Sequence, residues 1–137
     1  MTNPSMKRVV YVSTSSNDLT DEDVAALAVD ASQRNDALDL TGLMAFNGIN
    51  FIQALEGDGD AIDRIYAAIQ RDRRHHGVIT LIEEPCGERL FPDWRMRYVR
   101  APAGPLLNGQ TALSAGDVED CAHVAQLFAG FLRLSPN

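Results

Sequence analysis

The chain has 137 residues and a mass of 15.0 kDa, the size of one domain, with no room for a separate catalytic or output unit. Its 45% hydrophobic and 23% charged residues exclude a disordered composition, and no apolar run approaches the roughly 18 residues of a membrane span. Twelve Lys and Arg against nineteen Asp and Glu leave a net charge of −7, which disfavours nonspecific attraction to nucleic acid and anionic lipid. After a polar stretch at 1–6, expected to be flexible, Arg8–Ser13 (RVVYVS) is a β-branched run of the kind that forms a central strand. Thr20 before Asp21, Glu22 and Asp23 is a helix start, and Val24, Leu27, Ala28 and Ala31 continue at helical spacing to an end near Asn35. Leu40–Phe46 and Ile49–Glu56 flank Asn47-Gly48, the pair expected in a two-residue hairpin turn with positive φ at both central positions. Asp58 and Asp60 cap a second helix whose Ile62, Ile65, Tyr66 and Ile69 share one face, with a basic end at Arg71–Arg74.

Val78–Glu83 reads as a fourth strand, and Pro85–Pro92 as a loop. A fifth strand is expected over Trp94–Val99, with Trp94, Met96 and Tyr98 on one face and Arg95 and Arg97 on the other. After a loop at 101–116, Val118–Leu132 carries a broad apolar stripe and reads as a C-terminal helix in need of cover. The order β-α-β-β-α-β-β-α points to an α+β, ferredoxin-like sheet with two long helices on one face and the C-terminal helix on the other.

Three polar residues ask for an explanation. Gln53 lies on the strand face with Ile49, Phe51 and Leu55, and an amide there needs partners, because leaving it unpaired costs about 1–3 kcal/mol. Tyr11 sits inside an apolar run and needs a partner for its hydroxyl. Asn35, at the expected helix end, suits a C-cap without any ligand. The basic stretch Arg71–His76 complements a helix C-terminus or an anionic ligand group, whereas adjacent histidines make a poor zinc site. Cys86 and Cys121 form no CxxC pair and no apolar signal core opens the sequence, so a cytoplasmic location with reduced thiols and no metal is expected. No hydrolase or nucleotide-binding motif occurs.

Taken together, VYVS with Tyr11, ASQRN with Asn35, LTGLMAF with Thr41 and Gly42, FIQALEG with Gln53, RDRRHH and FPDWRM with Trp94 and Met96 resemble the BLUF domains, flavin-binding blue-light sensors. The resemblance covers residues 7–99, so 7–100 is expected to be the flavin-binding domain and 101–137 a helical extension. It implies a noncovalent FAD, with FMN or riboflavin as alternatives, between the first two helices. Leu27 and Ile69 would flank the ring, and Asn35 would bond its pyrimidine edge. Gln53 would bridge Tyr11 and the flavin, while Asp72, Arg74 and His75 would approach the ribityl chain and phosphates.

The resemblance further implies a sensor and not an enzyme, with Tyr11 and Gln53 photoactive and Trp94 and Met96 as the output. The signal would reach an unidentified downstream protein or change a homo-oligomeric assembly. Where many relatives carry a second Asn, this chain has Asp36, which accepts but cannot donate, so flavin binding would be weaker unless Asp36 points to solvent. The competing reading is a light-independent regulatory module of the same fold.

Overall fold

The computed structural model describes residues 6–100 and 122–133. In chain order they form β1 (Met6–Ser15), α1 (Asp21–Leu38), β2 (Thr41–Phe46), β3 (Asn50–Asp58), α2 (Gly59–Arg71), β4 (His75–Cys86), β5 (Arg97–Arg100) and α3 (Ala122–Arg133). The five strands make one sheet in the order β4-β1-β3-β2-β5, antiparallel throughout except for the parallel β2–β5 pair. This is the expected ferredoxin-like α+β arrangement with an added strand.

Both faces of the sheet are covered, which explains the uninterrupted apolar runs in β1 and β2. Val9, Tyr11 and Leu55 face Ile62, Tyr66 and Ile69 of α2, and Met44, Phe46 and Phe51 face Val24 and Ala28 of α1. On the opposite face Val10, Leu43, Ile52 and Ala54 meet Val124 and Phe128 of α3. Gly42 is required where β2 lies against β3, because a Cβ there would stand 2.2 Å from the carbonyl oxygen of Ala54.

Several expected boundaries move. Met6 is not frayed but pairs with Asp58 and Cys86 at the end of β1. Helix α1 starts with the expected capping box of Thr20 and Asp23, yet runs past Asn35 to Leu38 and ends on Asp39 in the left-handed conformation. Asn35 is therefore an interior helix residue and not a C-cap. The turn at Asn47-Gly48 has positive φ only at Gly48. The Asn47 carboxamide oxygen accepts from the Ile49 and Asn50 N–H groups at 2.9 and 2.6 Å, so a wider connection, closed by the Phe46–Phe51 ladder pair, replaces the two-residue turn. Ile49 consequently leaves the core face and is 51% exposed. Strand β4 extends beyond Val78–Glu83 at both ends and includes Pro85, tolerated because β4 is an edge strand.

The fifth strand is shorter than expected and begins only at Arg97. Residues 87–96 carry no regular ladder, and the expected common face of Trp94, Met96 and Tyr98 does not exist. Trp94 stacks on Phe91 and packs on the α3 side, whereas Met96 and Tyr98 pack on the α1/α2 side. Strict alternation holds only inside a strand, and Trp94 precedes it. The expected loop at 101–116, the positions Val118 and Cys121, and the expectation for residues 1–5 lie outside the described residues.

Candidate functional site

The helix-covered face contains a cavity of about 270 Å³ between α1, α2 and the sheet. Its apolar walls include Leu27 and Ala31 from α1, Ile69 from α2, and Met44 and Phe51 from the strands. Its polar groups are Tyr11 and Gln53 at the sheet, and Asp30, Arg34, Asp72, Arg74 and His75 around the rim. The structure thus brings Tyr11, Leu27, Gln53, Ile69, Asp72, Arg74 and His75 to one cavity.

Tyr11 and Gln53 are direct partners across the β1–β3 ladder, and Met44 opposes Gln53 from β2. The Gln53 Nε2 donates to the Tyr11 hydroxyl oxygen at 2.6 Å and lies 3.8 Å from the Met44 sulfur. Gln53 is 4% exposed, and its carbonyl oxygen is buried without a partner among the described residues. That orphan oxygen belongs to a cavity-lining side chain, so the cavity fits a ligand that can complete the hydrogen bonding of the amide. Burial pushes the Tyr11 phenol above its ordinary value, an effect partly opposed by the nearby Arg34 guanidinium. The phenol is therefore neutral at physiological pH. Tyr66 lies beside it with ring centroids 5.4 Å apart, and its hydroxyl bonds the Thr80 hydroxyl.

His75 lies edge-on to Tyr11 and Phe51 with centroids 6.1 and 6.2 Å away. Its Nε2 donates to the Ile69 carbonyl oxygen at 2.6 Å, which only accepts, and its Nδ1 is hydrogen-bonded to the Ser13 hydroxyl at 2.7 Å. Arg74 grips Asp72 through its Nε and Nη2 at 2.9 and 2.5 Å, and this guanidinium holds the Asp72 carboxyl below its ordinary pKa. The pair ends α2 at the cavity mouth with a fixed cation.

Asn35 is fully buried but does not line the cavity. Its Oδ1 accepts from Nε and Nη2 of Arg34 at 3.1 and 2.8 Å, and its Nδ2 donates to the Arg95 carbonyl at 2.6 Å. A guanidinium only donates, so Arg34 fixes which end of this amide faces it. Arg34 itself lines the cavity, and burial lowers its pKa from the ordinary arginine value. The sequence pattern overlooks Arg34, although Leu27, Ala31 and Arg34 share one face of α1 at i, i+4 and i+7. Asp30, on the same helix face, and Met44 and Phe51, whose place depends on strand pairing, are likewise additional cavity residues.

Asp36 points away from the cavity. Its side chain is 72% exposed and pairs with Arg95 Nε at 3.2 Å. Arg95 also bonds Asp39 at 3.0 Å and the Leu40 carbonyl at 3.2 Å, which staples the segment before β5 to the end of α1.

A family model described as sensors of blue light using FAD, BLUF, matches residues 6–97. The photoactivated adenylate cyclase subunit beta of Euglena gracilis is 31% identical over 94 residues, covering 67% of this chain but only 11% of that protein. The blue light- and temperature-regulated antirepressor BluF of Escherichia coli K12 is 39% identical over 61 residues, 44% of this chain and 15% of its own length. Among solved structures, the dark state of BlrB, a BLUF protein, superimposes with a TM-score of 0.71 at 28% identity, covering 94% of this chain and 98% of that one. The Klebsiella pneumoniae BlrP1 complex with manganese and cyclic diGMP gives 0.77 at 27% identity, covering 94% of this chain and 33% of that one. The matched region holds the whole cavity and its Tyr11–Gln53 pair, and the chain belongs to the BLUF family of blue-light sensors.

Proposed function

We propose that this chain senses blue light through FAD held noncovalently in the cavity between α1 and α2, and relays the event to a partner protein or a change of assembly without catalysing a reaction. The observation that carries this reading is the buried Gln53 amide, bonded to Tyr11 at one end and unpaired at the other beside a cavity walled by Leu27 and Ile69. A flat aromatic ring needs such apolar walls and a few convergent polar groups. A volume of about 270 Å³ suits the ring portion, and leaves the phosphates to the rim beside Arg74. Asn35, buried behind Arg34, would meet the polar edge of the ring after a shift of the Arg34 guanidinium.

The bound flavin supplies blue absorption and, once excited, an acceptor for an electron. Tyr11 would be the donor of that electron and of its hydroxyl proton, which burial keeps on the phenol. Return of both to Tyr11 leaves no net redox product. The lasting change resides in the Gln53 amide. A hydroxyl both donates and accepts, so either end of the amide can face Tyr11. Exchanging the ends reverses what the cavity receives, from a carbonyl acceptor to an N–H donor, and that change alters the flavin spectrum. Met44, at 3.8 Å from the amide nitrogen, and Met96, packed in the same region, stand where such an exchange is felt.

The test is a visible spectrum of the purified protein in the dark and immediately after blue illumination. Flavin bands with a reversible red shift, absent in Gln53→Leu and Tyr11→Phe, are expected. A colourless protein that takes up no added FAD would refute the proposal.

A further inference from the structure

Glu56 lies three residues beyond Gln53 in β3, fully buried and on the α3 side of the sheet. Its Oε1 accepts from the Leu90 N–H at 2.9 Å and from Arg8 Nε at 3.4 Å. Its Oε2 accepts from the Phe91 N–H at 2.9 Å and from the Thr41 hydroxyl at 3.2 Å. A carboxylate buried this completely needs such a set of donors, and each of its oxygens has a backbone N–H among them. The two backbone donors belong to the irregular segment 87–96, which joins β4 to β5. Arg8 also reaches Glu84 and the Glu88 carbonyl, and Arg89 bonds Thr41, so the anchor closes on itself.

What this anchor holds is the contact with α3. Phe91 is 2% exposed, stacks on Trp94 with ring centroids 5.6 Å apart at 11°, and packs in one cluster with Val124 and Phe128 of α3. Met96 lies on the other side of the sheet, so a change there has no direct contact with this cluster. Strand β3 does have one, because the strand that carries Gln53 also grips the backbone of Leu90 and Phe91.

We propose that Glu56 is a positioning residue for output, through which a change at Gln53 in β3 moves the Leu90–Trp94 segment and with it α3. This rests on the light-sensing reading above. Gln53 and Glu56 share a strand on opposite faces, so a displacement of β3 is delivered to both layers at once. The carboxylate, hydrogen-bonded to backbone and not to mobile side chains alone, passes the displacement to Phe91 without slack.

The experiment is hydrogen exchange with mass spectrometry on the FAD-loaded full chain, dark and illuminated, alongside the visible difference spectrum. Wild type is compared with Glu56→Gln and with Phe91→Leu, which leaves the anchor's charges in place if Glu56→Gln does not fold. The expected result is a light-dependent change in exchange at 90–94 and 124–131 in wild type, lost at 124–131 in each folded variant while the flavin red shift persists. A wild type that shifts red with no exchange change at 124–131, or folded variants that keep that change in full, overturns the proposal while leaving light sensing intact. A wild type with no red shift removes the sensing reading and the proposal with it.

Discussion

Gln53 and Glu56 are both buried polar residues of β3, but their surroundings are opposite. The carboxylate of Glu56 has four donors on its two oxygens, whereas the carbonyl oxygen of Gln53 has none. Burial alone therefore does not separate a structural polar group from one reserved for a ligand. The completeness of its hydrogen bonding does, because an unpaired buried group costs free energy that only a purpose elsewhere justifies.

Removing Gln53 gives the largest functional effect. Gln53→Leu is expected to abolish the light-induced red shift while changing the stability of the flavin-free chain by less than about 1 kcal/mol, because it removes an unsatisfied amide oxygen but also takes away the partner of the buried Tyr11 hydroxyl. Chemical denaturation of the flavin-free protein checks this, and a strongly destabilised variant would break the comparison. Glu56→Gln, by contrast, should lower stability by about 3 kcal/mol, since it removes the fully buried charge that faces Arg8 and leaves that guanidinium to the part-exposed Glu84 and the Glu88 carbonyl. A shift in the denaturation midpoint at constant slope is the measurement.

The third expectation concerns pH. Burial raises the Tyr11 phenol above its ordinary value of 10.0, so the folded chain holds this proton more tightly than the unfolded chain. The sign follows: the contribution of Tyr11 is fully present below about pH 10 and is lost as pH climbs from there toward its folded value, by up to about 1.4 kcal/mol per unit. Denaturation curves from pH 8 to 11 should show stability falling above pH 10 by more in wild type than in Tyr11→Phe. The smallest effect is expected for Asp36→Asn. Its exposed pair with Arg95 is worth no more than about 0.5 kcal/mol, and flavin affinity should stay unchanged. A tenfold change in affinity would show that Asp36 faces the flavin after all.

Much of the fold was readable from residue order. Period-two and helical spacing located all eight elements, and the apolar stripe on the last helix announced that the sheet is covered on both faces. The failures cluster where backbone conformation departs from its local signal. Asn47-Gly48 promised a two-residue turn, but the Asn47 side chain bonded the next two N–H groups and widened the connection. Trp94 and Met96 stand two apart, as strand partners on one face would, yet Trp94 turned toward α3 because Phe91 and the Arg97 guanidinium, 4.4 Å from its ring, hold it there. Glu56 went unnoticed because nothing local tells a buried acid from an exposed one.

The sequence by itself determined the family, the element order and the pair of polar residues in an apolar setting, because local periodicity and residue chemistry are carried by neighbours along the chain. Only the tertiary structure decided that Arg34 joins the cavity and fixes the Asn35 amide, that Asp36 faces solvent, and that Trp94 and Met96 lie on opposite sides of the sheet. Those outcomes depend on donors and acceptors from strands and helices far apart in sequence, whose positions exist only once the sheet has closed around its two cores.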